Sequence, residues 1–365
     1  CQDLIQEYLH ALMMRLLFSV AILMLAIAVL HPYVKILFAV LEGFLLTNFR
    51  FHVIGAAVPS RDEAELLANI AGKVYLIVGG TRGIGGAIAE DLLKLGAERV
   101  DVVGRSENTE MRLVFGERLK FVKVNMARMV DVVNFAWEHN ASRYDTVVMT
   151  VGLLPSFAKR ELTSDGLEVD FAVSYASRFI IAREFARRGL GDASRTATQE
   201  GRRPKVFVMG FPGGAFTDGQ IADMNWERVA YDWVTVHSNT QLGNEAIVLG
   251  MAAGMDKASE KVLWFGLNPG WINTGIFHRF IPEGPLLMFC KWLSGHTMPQ
   301  AADYVRNTVS PLLASPEIDA WNGMLFNRFG ERIGRSRWLS DDSKVRAIWD
   351  ATESLLAPHW RPPSK

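Results

Sequence analysis

From Lys73 onward the sequence predicts an α/β fold: a doubly wound parallel sheet with helices on both faces. Two observations carry that expectation. Six short runs are continuously apolar rather than alternating, the pattern of strands buried on both faces, and stretches of helical period separate them. A glycine cluster, Gly79, Gly83 and Gly85, stands directly between the first of these runs and the helical stretch behind it.

In chain order, the first element lies ahead of that fold. Leu16 to Leu30 (LLFSVAILMLAIAVL) carries no charge. With its neighbours the apolar span covers residues 12 to 34, which approaches the roughly 20 residues that cross a hydrocarbon core. Arg15 can extend its charged head to one interface, and Tyr33 and Lys35 suit the other. A single transmembrane helix is expected here. A second apolar run, Ile36 to Leu46, is broken by Glu42 and Gly43 and is expected as an amphipathic, interfacial helix. Residues 1–57 are thus read as a membrane-anchor region. Residues 58–72 read as a polar linker with a short helix, for which Pro59 and Ser60 offer a start and a cap. Because the chain opens on Cys1 rather than methionine, its natural N-terminus is expected to lie upstream or to have been processed.

The sheet then follows. Strands are expected at Val74–Gly80, Arg99–Gly104, Lys120–Met126, Tyr144–Gly152, Pro204–Gly210 and Lys261–Gly270. Gly189 to Pro204 is a polar surface loop before the fifth strand. The main domain is expected over residues 73–330. Over 331–365, Val345, Ile348, Trp349 and Leu356 share one helical face behind Ser340 or Asp341 as cap, a C-terminal helix docking on the domain.

Composition narrows the function classes. Apolar residues make up 49% of the chain, enough for a sizeable core, and the charged share of 21% argues against disorder. With 39 basic and 39 acidic residues there is no basic excess for nucleic acid. Two cysteines exclude a disulfide framework and a cysteine-based metal site, and the histidines lack ligand spacing, so no metal is expected.

The glycine cluster has a mechanical reading. A tight turn, a close approach of backbone to a pyrophosphate and close helix–sheet packing all require it, and the helix N-terminus then faces the phosphates. That makes the fold Rossmann-type. The spacing of Gly79, Gly83 and Gly85, the stretch Arg160–Val173 (RELTSDGLEVDFAV), the loop Asn268–Thr274 (NPGWINT) and the C-terminal IWDATESLL together resemble the short-chain dehydrogenase/reductase family, closest to its membrane-anchored, retinol-dehydrogenase-like members. The resemblance implies nucleotide contacts from Gly79, Thr81, Arg82, Gly83, Ile84, Gly85, Arg105, Asn125, Met126, Gly152, Pro269, Gly270 and Thr274. An acid at the end of the second strand would favour NAD. Gly104 stands there, followed by Arg105, and Arg82 precedes Gly83, so the resemblance implies NADP(H).

The same resemblance locates four catalytic positions, and all four are changed. LGNE (Leu242–Glu245) aligns the catalytic helix, putting His237 at the family's tyrosine and Gln241 at its lysine. Phe211 takes the place of the serine and Ser174 that of the asparagine. Misalignment cannot restore the usual pair, because none of the seven tyrosines is followed by lysine four residues on. Gln241 does not ionise, and Phe211 cannot polarise a carbonyl. The expectation is a membrane-anchored, NADP(H)-binding protein that has lost dehydrogenase chemistry. It would serve as an accessory subunit of a membrane complex, as non-catalytic members of this nucleotide-binding class do, in the mitochondrial inner membrane or the endoplasmic reticulum. The alternative is an active NADP-dependent oxidoreductase on a lipid, retinoid or steroid-like substrate with His237 as acid.

Overall fold

The computed structural model describes residues 52–156, 159–192, 203–210, 215–274, 284, 288, 291, 292, 295, 296 and 298–360. Nine strands form one sheet: β1 (Val53–Ala57), β2 (Val74–Val78), β3 (Arg99–Gly104), β4 (Leu119–Lys123), β5 (Thr146–Met149), β6 (Lys205–Met209), β7 (Leu263–Leu267), β8 (Leu325–Phe326) and β9 (Glu331–Ile333). Their order across the sheet is β1-β9-β8-β7-β6-β5-β2-β3-β4. The pairs from β4 to β8 are parallel, while β8–β9 and β9–β1 are antiparallel. The chain winds outward from β2 through β3 and β4, then returns to place β5 against the other side of β2. That reversal opens a crevice at the carboxyl ends of β2 and β5, where open α/β sheets bind ligands.

Period-2 alternation divides the core. Leu76 and Val78 face one side of the sheet with Val147, Met149, Val206 and Trp264; Tyr75 and Ile77 face the other with Val148, Phe207 and Phe265. The first side is covered by the helices Met129–Glu138, Ser177–Arg187, Trp233–Ala252 and Asp342–Leu356, the second by Glu63–Ile70 and Gly83–Lys94. Because both faces are covered, the strands are continuously apolar. All six predicted strands are present.

Three boundaries differ from the sequence reading. Val53–Ala57, read as the end of the anchor region, joins the sheet by pairing with β9. Glu331–Ile333, read as the start of the C-terminal appendage, is β9 itself. The helix in the linker spans Glu63–Ile70 and is capped by Asp62, whose side chain accepts from Glu65 N at 2.8 Å while Glu65 reaches back to the Asp62 N–H. An Asp-x-x-Glu capping box satisfies two N-terminal donors at once, so it outcompetes Ser60. At the other end Asp341 is the cap, and Val345, Ile348, Trp349 and Leu356 are all buried. No helix among the described residues is long and apolar enough to cross a membrane. The predicted spans at 12–34 and 36–46 lie outside the described residues.

Candidate active site

The glycine turn after β2 is shaped by exclusion. Gly79 has φ +93° and a Cβ there would lie 2.5 Å from the backbone N of Val151. A Cβ on Gly85 would lie 2.4 Å from both the Gly79 carbonyl and the Thr150 hydroxyl. Gly83 is at φ +58°, and a Cβ there would lie 3.5 Å from Thr274 Cβ, so the loop after β7 lies against the glycine turn. The following helix, Gly83–Lys94, has no side-chain cap and no acid in its first turn. An uncapped helix N-terminus beside side-chain-free backbone is a fitting cradle for a pyrophosphate.

Most of the other predicted nucleotide residues follow the carboxyl ends of β2, β3, β4, β5 and β7. Gly104 at the end of β3 lies against Thr81, and Arg105 and Arg82 are the exposed residues that follow each of them. Asn108 ties the junction by donating to the Thr81 carbonyl at 3.2 Å. Asn125 turns its amide oxygen to its own loop, accepting from Ala127 N at 3.2 Å. Met126 and Pro269 are buried, and Met126 packs in the core, so it offers a nucleotide only its backbone. Ile84 is half-buried against the second core cluster. Gly152 is exposed at the crevice, and Gly270, at φ +61°, is held by Asn268 accepting from its N–H at 3.0 Å.

Two helical segments build the floor of the candidate site. The chain enters one through Val169–Phe171, passes through a π-helical turn at Ala172–Ala176 and continues as Ser177–Arg187. π-turns recur at functional sites because they re-aim side chains, and this one contains Ser174. Its hydroxyl accepts from Leu153 N at 3.0 Å, and its carbonyl accepts from the Asn244 amide at 2.9 Å. The second segment is the helix Trp233–Ala252, capped by Asp232, which accepts from Thr235 N at 3.1 Å. It carries His237 and, one turn on, Gln241. Phe211 lies outside the described residues.

His237 has a partner that sequence reasoning missed. Its Nδ1 lies 2.9 Å from Oδ2 of Asp170, whose side chain is fully buried while that of His237 is 22% exposed. Gln241 Nε2 stands 3.5 Å from His237 Nε2, and Gln241 Oε1 would lie 3.0 Å from a Cβ on Gly210 at the end of β6. Four more groups surround the pair. Glu168 is fully buried, caps Phe171 N at 2.7 Å, and is pushed up to about 7 by burial and then by the Asp170 charge. Tyr231 donates to the Ser156 carbonyl at 3.1 Å; burial, then Glu168 and Asp170, push its phenol up. Arg178 is buried, donates through Nε to the Val151 carbonyl at 2.9 Å and through Nη1 to that of Met209, and so staples the end of β5 to that of β6. Burial pushes its guanidinium down to about 9, opposed by Asp170, so it stays charged at neutral pH. Asn225 completes the frame by accepting from Glu168 N at 2.7 Å and donating to the Gly166 carbonyl at 2.9 Å. The available signal was two acids, Glu168 and Asp170, set in an otherwise apolar run. Chemically, the arrangement offers an imidazole oriented by a buried carboxylate, with a buried cation behind it. Among the described residues no cluster fits a metal ion.

Comparison with known proteins agrees with this fold. No family model matches the chain. It is 34% identical over 286 residues to an uncharacterized oxidoreductase of Saccharomyces cerevisiae, covering 77% of this chain and 86% of that one. It is 24% identical over 310 residues to retinol dehydrogenase 14 of Homo sapiens, covering 78% and 86%. Among solved structures, a short-chain dehydrogenase of Pseudomonas syringae superposes with a TM-score of 0.51 at 17% identity, over 75% of this chain and 99% of that one, a likeness of fold. Proteins of this kind bind nicotinamide dinucleotides. On its sheet, its glycine cradle and these relatives, the chain belongs to the short-chain dehydrogenase/reductase family.

Proposed function

We propose that this chain is an NADP(H)-dependent oxidoreductase working at a membrane, on an apolar alcohol or carbonyl of lipid, retinoid or steroid type, without a tyrosine–lysine pair. The observation that carries the reading is the imidazole of His237 at the family's proton-donor position, with the buried Asp170 carboxylate 2.9 Å behind it. Substitution at all four catalytic positions argues for lost chemistry. A proton carrier held at the right place argues against it, since the imidazole is tied to a carboxylate through Nδ1 and keeps Nε2 for a substrate proton. Preference for NADP(H) is supported by the Thr81–Gly104 contact, which sets Arg82 and Arg105 beside the same end of the cradle. Tethering is supported by the apolar run at residues 12–34 and by an apolar-alcohol dehydrogenase among the relatives. The membrane would be the mitochondrial inner membrane or the endoplasmic reticulum.

A second reading is favoured by one observation. Ser174, at the family's asparagine, spends its hydroxyl on Leu153, a structural use. A chain whose cleft has turned structural would be an accessory subunit of a membrane complex, with NADP(H) as a fixed constituent. Purification of the full chain from native membranes separates the two. The oxidoreductase reading expects tighter binding of NADPH than NADH, followed by hydride transfer to retinal or a similar apolar carbonyl. Absence of nucleotide binding overturns the cradle assignment. Binding without transfer, in stoichiometric company of other subunits, favours the accessory reading.

A further inference from the structure

We infer that Asp170 and His237 form an acid–base dyad that replaces the family's tyrosine and lysine, with His237 Nε2 as the proton-transferring atom and Asp170 as its positioning residue. The inference rests on the oxidoreductase reading and assigns its missing proton carrier.

The geometry fixes the roles of the two ring nitrogens. A carboxylate only accepts hydrogen bonds, so the 2.9 Å contact requires that Nδ1 carry a proton. In the neutral ring this leaves Nε2 with its lone pair, directed at the Gln241 amide nitrogen at 3.5 Å. That amide contact is long, at the limit of a hydrogen bond, and a substrate hydroxyl that comes nearer displaces it. Asp170 is fully buried, and among the described residues its second oxygen has no hydrogen-bond partner. Among the described residues that carboxylate is met by the Nδ1–H of His237 and, at longer range, by the charge of the buried Arg178 guanidinium. A buried carboxylate short of partners gains most when the ring beside it becomes positive. The family's lysine supplies a cation to stabilise a tyrosinate; here the signs are exchanged, and an anion stabilises an imidazolium. Glu168 feels the Asp170 charge and is pushed up to about 7, so near neutral pH a proton there lightens the negative charge near the dyad.

Bound NADP(H) supplies or accepts the hydride, and the dyad carries the proton. In oxidation, His237 Nε2 takes the proton of the substrate hydroxyl as the hydride leaves the carbinol carbon. A carbonyl forms as two electrons leave with the hydride, for which the bound nucleotide would be the acceptor, and the imidazolium pairs with Asp170. The proton then passes to water at the ring, whose side chain is 22% exposed. In reduction each transfer runs backward, with imidazolium as the acid. General acid–base transfer of this kind contributes about 10²- to 10⁴-fold.

The test uses the full chain in detergent. His237→Gln is expected to lower kcat at least about 10²-fold, with NADPH affinity and melting temperature held near wild type. Asp170→Asn, nearly isosteric, should lower kcat about tenfold or more with little change in KM, because a neutral amide cannot stabilise the imidazolium. Without any nucleotide, proton NMR should show a downfield imidazole N–H that vanishes in His237→Gln and moves upfield in Asp170→Asn; a merely structural carboxylate would not couple this signal to kcat. Wild-type turnover that persists within about twofold in His237→Gln overturns the dyad and leaves the oxidoreductase reading intact. A wild type that binds NADPH and transfers no hydride overturns the oxidoreductase reading itself.

Discussion

Gly104 at the end of β3 packs directly on Thr81 of the glycine turn: a Cβ on Gly104 would lie 2.8 Å from Thr81 Cγ2. This packing leaves no room for the acidic side chain that would accept from a ribose hydroxyl. It also brings the neighbours of the two residues, Arg105 and Arg82, to one corner of the cradle. On the proposed function, the two guanidinium groups would share the extra phosphate of NADP(H), which bidentate pairing favours.

The consequence is measurable. Arg105→Asp should weaken NADPH binding about ten- to a hundredfold, the worth of one charge-assisted hydrogen bond to phosphate, while NADH binding holds or improves. Arg82→Ala should give a smaller loss in the same direction. Fluorescence titration with both nucleotides checks it, and equal losses for NADPH and NADH would remove the arginines from the phosphate site.

Gly85 provides the steric counterpart. Its Cβ would meet the Gly79 carbonyl and the Thr150 hydroxyl at 2.4 Å, and one of these is backbone that cannot swing away. Gly85→Ala should therefore abolish detectable NADPH binding and cost roughly 1–3 kcal/mol of stability from overpacking. Urea denaturation beside nucleotide titration measures both. Retention of wild-type affinity would show that the turn is not a close-approach cradle.

The sequence displayed the sheet and hid the dyad, for a physical reason in each case. β2 to β7 are buried on both faces, so burial itself writes them as apolar runs. β1 is exposed along most of its length and follows a long apolar stretch, so its strand character has no pattern to show. β8 and β9 have only two and three residues, too few for a period. The glycine turn was legible because its spacing is local, set within one strand–turn–helix unit. Asp170 and His237 meet across 67 positions, and no spacing rule links two residues that only the packing of two helices brings together. What was legible of the dyad was half of it, the histidine.

Glu168 and His139 give the fold opposite pH dependences. The Glu168 carboxyl rises from an ordinary 4.5 to about 7, through burial first and the Asp170 charge second. A raised folded value means that its contribution is fully present below about pH 4.5 and is lost as pH climbs through 7. Glu168→Gln keeps an acceptor for Phe171 N and removes that loss, so above pH 7 it should be more stable than wild type by up to about 3 kcal/mol. His139 is pushed down to about 4, by burial first and then Arg143, so it is neutral at pH 7 and its approach to Asp101 is no ion pair there. Its contribution is present above about 6.5 and lost as pH falls through 4. Denaturation midpoints across pH 4 to 9 test both, and a Glu168→Gln profile parallel to wild type would reject the assignment.

Restoring the family's residues should fail to restore the family's chemistry. In His237→Tyr/Gln241→Lys the new phenol stands beside the Asp170 carboxylate, which is buried and short of partners. A phenolate next to that anion is disfavoured, so the tyrosine's pKa rises, the reverse of what an acid near neutrality needs. Tyr231 already displays the effect: after burial, Glu168 and Asp170 are the charges that push its phenol up. The introduced lysine, one turn from position 237, would pair with Asp170 rather than with the tyrosine. The double variant is expected to turn over at least about tenfold more slowly than wild type, with NADPH binding unchanged. Adding Asp170→Asn removes the competing anion, frees the lysine for the tyrosine and should recover part of the rate. Hydride-transfer rates of the wild type, the double variant and the triple variant decide the matter. A double variant faster than wild type would mean that Asp170 does not govern proton transfer in this cleft.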